Sequence, residues 1–179
     1  MGKLMKVISG GQTGVDQAAL RAGKDCGLEI GGWCPPGRAC ESGVIPAEFP
    51  LQETPSDRSP DAPDVPRSQR TEWNVRDSDG TLVIVRGAQR GASRSEAATE
   101  ERDRGTDWTV QYAARYKRPL LVCEVDDPNA TEKILQWLAT NPMRTLNVAG
   151  PSESESQGIG AKTFALLMQV FATRKLTRE

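Results

Sequence analysis

Residues 5–27 constrain the fold more than any other stretch. Met5-Lys6-Val7-Ile8 is a short apolar run of the kind that fills a buried strand. Ser9-Gly10-Gly11-Gln12-Thr13-Gly14-Val15-Asp16 follows. Val15, Ala18, Ala19, Ala22 and Cys26 then recur at helical spacing, and Gly27 stands where a left-handed residue closes a helix. The unit reads as strand, tight glycine turn, helix. Glycine has no Cβ, so a ligand can approach the backbone there. A helix N-terminus offers unbonded N–H groups and a partial positive charge. Together they predict a cradle for a phosphate or another oxyanion. The competing reading is a strand-to-helix turn that is merely rich in glycine, and the residues alone leave both open. The loop is not a P-loop, because no Gly-Lys-Ser/Thr follows the glycines. It is not the dinucleotide fingerprint either: the order is Gly-Gly-x-x-Gly, and no ribose-binding acid follows Gly31-Gly32-Trp33.

Further apolar runs recur along the chain. Leu28 to Trp33 reads as a second strand, and Cys34-Pro35-Pro36-Gly37-Arg38 opens an irregular segment through Pro46 and Pro50. Arg38 there either contacts an anion or is solvated. Thr54 to Gln69, rich in Pro, Ser and Asp, predicts a surface loop or mobile excursion. Arg70 to Gly80 predicts a short helix or turn anchored by Trp73 and Val75. Thr81-Leu82-Val83-Ile84-Val85 has the uniform apolar, β-branched character of a parallel strand covered on both faces. Ala88 to Arg104 is charged and alanine-rich and predicts a solvent-exposed insertion. Thr106 is a candidate cap for a helix with Val110, Ala113 and Ala114 inward. Leu120 to Cys123 is a buried strand, and Ala130, Ile134, Trp137 and Leu138 face inward from a helix stopped by Pro142. Thr145 to Gly150 is a last strand, and a final helix after Gly158 turns Ala161, Ala165, Met168 and Phe171 inward. Strands alternating with helices predict an α/β fold: one domain over 1–179 with a single parallel sheet and right-handed crossovers, of the doubly wound class.

Ligands of such sheets sit beyond the carboxyl ends of the strands. Gly10 to Gly14, Gly105-Thr106, and Asn147 to Gly150 with Pro151 are all expected on that rim. Arg70 and Thr71 would add a charged fork and a hydroxyl. Composition narrows the chemistry. The 179 residues hold 23 Lys+Arg against 24 Asp+Glu, a net charge of -1, which argues against binding nucleic acid by bulk charge. No apolar run reaches membrane-spanning length, and the first strand follows directly on Met1-Gly2-Lys3, so a cytoplasmic protein without a leader is expected. Cys26, Cys34, Cys40 and Cys123 form no Cys-x-x-Cys pair, which disfavours zinc and a disulfide framework. Histidine is absent, so the commonest general base and metal ligand are missing. That shifts weight from enzyme to binding protein.

The chain resembles the molybdenum cofactor carrier proteins. The matching segments are Ile8 to Asp16 with Ala19-Leu20, Gly31 to Pro35 with Gly37-Arg38, Pro50-Leu51, and Arg70-Thr71 with Trp73-Asn74-Val75. They continue with Asp77 to Thr81, Gly105-Thr106, and Leu146 to Pro151 with Glu153-Ser154. The resemblance implies a Rossmann-like fold, a homo-oligomer (dimer or tetramer), and a pocket for the molybdenum cofactor, or molybdopterin, a pterin with a terminal phosphate. It implies that the cofactor is held and passed to molybdoenzymes without being transformed. The cofactor-binding set carried over is Gly10, Gly11, Gln12, Thr13, Gly14, Asp16, Trp33, Arg38, Arg70, Thr71, Asn74, Asp79, Gly105, Thr106, Asn147 and Gly150. One departure stands out. Arg104 replaces the first glycine of the family's Gly-Gly-Thr turn, and Ala88 to Asp103 is inserted before it.

The family is also similar to the nucleotide phosphoribohydrolases that release cytokinins, in which a catalytic Glu follows the turn's Thr by three residues. Here that position is Thr109, and Gln111 is no base, so the required acid is missing. Asp16 and Asp79 are the rim carboxylates that would have to replace it. A sensor of a nucleotide-derived ligand is the third reading.

Overall fold

A computed structural model describes residues 4–87 and 107–176. Five strands form one parallel sheet: β1 (Lys6–Ile8), β2 (Glu29–Gly31), β7 (Gly80–Val85), β8 (Leu120–Glu124) and β9 (Thr145–Ala149). Their spatial order is β2-β1-β9-β7-β8. The last strand in sequence is therefore the central one, paired with β1 through Ile8↔Asn147 and with β7 through Thr81↔Asn147. Counted from β9, the order reads 3-2-1-4-5, a doubly wound sheet whose first strand is supplied by the end of the chain.

Helices cover both faces. On one, α1 (Val15–Asp25), α4 (Ala130–Thr140) and α5 (Ile159–Leu176) bury the main core with Val7, Leu82, Ile84, Leu146 and Val148. On the other, α2 (Ser68–Arg76) and α3 (107–115) meet the sheet through Val75, Tyr112 and Ala113. The pleat explains the division. Successive side chains alternate faces, so Leu146 and Val148 enter the main core while Asn147 between them faces the other layer.

Several expectations from periodicity are corrected. The second strand breaks at Gly32, whose φ of +126° bends the chain. A Cβ at Gly32 would lie 2.4 Å from the Ser9 carbonyl oxygen. Trp33–Cys34 (β3) then pairs with Gln52–Glu53 (β6) in a separate parallel ribbon. Strand β8 is an edge strand, and Val122 is 47% exposed. In α3, Val110 and Ala114 face outward while Thr109, Tyr112 and Ala113 face inward. In α5, Ala161 and Ala165 are exposed; Ile159, Thr163, Leu166, Leu167, Val170 and Phe171 are inside. The wedge between α1 and α4 takes the larger side chains, and an apolar run on several faces has no unique inward phase. Residues 54–67 hold no strand or regular helix, and α2 begins at Ser68. Thr54, Ser59 and Ala62 within that segment are buried. The segment 88–104 lies outside the described residues, as do Gly105 and Thr106.

Candidate functional site

At the carboxyl edge of the sheet, the turns after β1 and β9 meet. A Cβ at Gly14 would lie 2.5 Å from the Pro151 carbonyl oxygen and 2.8 Å from the Glu153 nitrogen. Gly150 approaches the end of β7 as closely, with a virtual Cβ 2.3 Å from the Ile84 carbonyl oxygen. The two glycine turns thus share one rim, as expected.

The glycines admit this protein's own chain. The Cβ direction of Gly10 is filled by the Arg70 guanidinium, 1.8 Å from the virtual atom. That of Gly11, at φ +79°, points at Leu51 and Ile45. The first turn of α1 is also partly closed, which corrects the picture of an open helix end. Val15 N–H donates to the Pro151 carbonyl at 3.2 Å, and Gln17 N–H to the Gln12 carbonyl at 3.1 Å. Gln12 N–H donates to Asp16 Oδ2 at 3.2 Å.

Arg70 Nη1 reaches the same Asp16 oxygen at 3.0 Å. Asp16 is 1% exposed. Burial pushes its carboxyl pKa up, opposed by the Arg70 charge and the Gln12 amide, and the balance stays above the ordinary aspartate value. The pair is a buried strut under the turn.

Outside the strut lies a shelf of donors. Glu41, at the tip of the hairpin of β4 (Ala39–Cys40) and β5 (Gly43–Val44), lays its carboxylate across it. Glu41 Oε1 accepts from the Thr13 hydroxyl and, at 3.1 Å, from Ser154 N–H; Oε2 accepts from the Ser154 hydroxyl. Glu153 N–H donates to Thr13 Oγ1 at 3.2 Å, tying the two turns together. Partial burial works to raise the Glu41 pKa, but hydrogen bonds from Ser154, Thr13 and Ser152 outweigh it and lower it to about 2. Gln12, 5% exposed, accepts Glu41 N–H at 2.9 Å and Thr13 N–H at 3.1 Å on Oε1, and its Nε2 has no partner among the described residues.

The other expected site residues take different places. The Arg38 guanidinium donates to the carbonyls of Leu51, Pro46 and Phe49 at 2.9–3.1 Å, so it clamps the irregular segment. Asn74, 2% exposed, bonds both backbone groups of Trp33 at 2.9 Å, and the Trp33 indole donates to Asp77 at 2.7 Å. Thr71 returns its hydroxyl to the Arg67 carbonyl at 3.2 Å. Asn147 donates to Thr81 at 3.3 Å inside the sheet. Asp79 sits at the opposite edge, where its Oδ2 accepts Arg144 and Thr145 N–H at 2.9 Å. It joins the amino ends of the strands and is off the rim, because it precedes β7 where a rim residue would follow it. In the sequence, Ser154 stands only within a matched segment and Glu41 within none. The Ser-rich run Ser152 to Ser156 between a strand and a helix was a readable signal for the serines. Nothing local marks Glu41.

The sequence matches the circularly permutated YpsA SLOG family over residues 7–171. Among curated proteins nothing matches it. A crystal structure from Syntrophus aciditrophicus, named "Putative molybdenum carrier protein", is 36% identical, with 94% of each chain covered and a TM-score of 0.75. The strand order, with β9 in the place of a first strand, is what a circular permutation of a doubly wound sheet produces.

Proposed function

Because the chain belongs to the circularly permutated YpsA SLOG family, we propose that it is a small-molecule carrier whose cargo is the molybdenum cofactor. The observation that carries the reading is the donor shelf at the rim: two hydroxyls and an N–H, from Thr13 and Ser154, converge on one acid. Such a donor set suits the phosphate or molybdenum oxygens of a pterin cofactor. The unpartnered Gln12 Nε2 is a further buried donor for the same group. The name of the Syntrophus aciditrophicus protein supports this cargo.

The chain's residues act by binding alone. Thr13 and Ser154 would hold the oxyanion, and the Asp16–Arg70 strut would keep the turn that carries Thr13 in place. The cofactor supplies redox chemistry only in the molybdoenzyme that receives it. Delivery to such enzymes, a dimeric or tetrameric assembly and a cytoplasmic location complete the proposal. No described helix is long and apolar enough to cross a membrane.

The nucleotide hydrolase reading finds less support. Asp16 is buried against Arg70, and Asp79 is on the far edge, so neither offers an acid to a glycosidic bond at the rim. The deciding experiment is native purification, followed by oxidation and assay for a fluorescent pterin with stoichiometric molybdenum. Thr13→Val with Ser154→Ala is expected to abolish the pterin. A co-purifying nucleotide would replace the cargo with a nucleotide-derived ligand. Base released from AMP, and lost in Asp16→Asn, would overturn the carrier.

A further inference from the structure

We propose that Thr13 and Ser154 form the oxyanion subsite of this pocket, and that Glu41 occupies it as an internal surrogate which a ligand's oxyanion displaces. The inference rests on the carrier reading and names its regulation.

The Glu41 carboxylate is bonded as a bound anion would be. It comes from a residue 28 positions from Thr13 and 113 from Ser154, so no local turn brings it there. Each strand of its hairpin is two residues long, the tip is exposed, and Val44 is 67% exposed. Cys40 and, just past β5, Ile45 anchor its base in a small cluster apart from the main core, and Glu41 N–H bonds Gln12. The hairpin can therefore lift without opening the main core.

A second observation points to a ligand. The Gln12 amide lies directly under the hairpin, bonded to Glu41 N–H through Oε1, while its buried Nε2 has no acceptor among the described residues. A carboxylate presents two oxygens. A tetrahedral oxyanion presents up to four, enough to keep the Thr13 and Ser154 donors satisfied and reach further ones.

The exchange makes Glu41 a competitor. Apparent affinity is the intrinsic affinity multiplied by the fraction of molecules whose hairpin is open. The test is calorimetric titration of the purified full chain with orthophosphate and, separately, with molybdate. Glu41→Ala is expected to bind at least one of them about tenfold more tightly than the unaltered chain, and adding Thr13→Val should erase the gain. A gain for phosphate alone assigns the shelf to the terminal phosphate; a gain for molybdate alone assigns it to the metal's oxygens. Glu41→Gln, which keeps the side-chain size, serves if the alanine variant does not fold. An affinity within twofold of the unaltered chain for both anions, in the variant that folds, would overturn the proposal. The two readings fail separately. Pterin in the native protein with no gain in Glu41→Ala removes the surrogate and leaves the carrier. A gain without pterin leaves the subsite and removes the cargo.

Discussion

Gly10→Ala tests the strut beneath the turn. Gly10 is absent from the positive-φ positions, so alanine imposes no backbone strain of that kind. Its Cβ would instead lie 1.8 Å from Arg70 Nη1 and 2.6 Å from Cζ. The guanidinium must leave, and Asp16, 1% exposed, then loses its cation. Removing one partner of a buried ion pair costs about 3–5 kcal/mol. For a chain of this size that lowers Tm by about 10 °C. Arg70→Met removes the same contact by another route, so the two effects should not add. Urea unfolding of both single variants and the double variant gives the coupling, expected at about 3 kcal/mol. The pH dependence has a definite sign. Burial holds the Asp16 pKa above 3.8, so Asp16's contribution is full below 3.8 and is lost as pH rises through the folded value. Arg70→Met raises that folded value further and extends the loss to higher pH. The variant should therefore recover stability on acidification from pH 7 toward pH 4 more steeply than the unaltered chain. Strictly additive costs, or parallel pH profiles, would refute the strut.

Gly11→Val should lower stability by about 2–4 kcal/mol in chemical denaturation, because it forces a β-branched residue to φ +79° and drives a Cβ within 2.5 Å of Leu51 Cδ1. Asn74→Ala should cost about 1–3 kcal/mol by stranding the backbone of Trp33, and tryptophan fluorescence should report the loosened Trp33–Trp73 contact. The Glu41 carboxyl titrates at about 2, below its ordinary 4.5, so its hold on the shelf is complete above pH 4.5 and fades as pH falls toward 2. The Ser154 amide shift in NMR should follow that midpoint and stay flat in Glu41→Gln. Leu138→Ala, at a fully buried position of α4, should cost about 2–5 kcal/mol in the same unfolding assay.

Short-range physics governs the features that local sequence encodes. The β1–turn–α1 unit, the apolar run of β7, the helix over 130–140 and the alternation of strand with helix all follow from side chains a few residues apart. So does the left-handed close at Gly27, with φ +75°. The class of the fold and the rim were readable for that reason. Tertiary structure alone decided that the last strand is the central one, and that β8 is an edge with Val122 exposed. It also decided which face of α5 is buried, because that depends on the wedge between α1 and α4. The candidate site divides the same way. The turn at Gly10 to Gly14 was legible, but the backbone partners of Arg38, Asn74 and Asp79 were not, since they depend on which distant segment comes near. Glu41 reaches Ser154 across 113 residues. Packing energies that close such loops depend on the whole chain, and no local pattern encodes them.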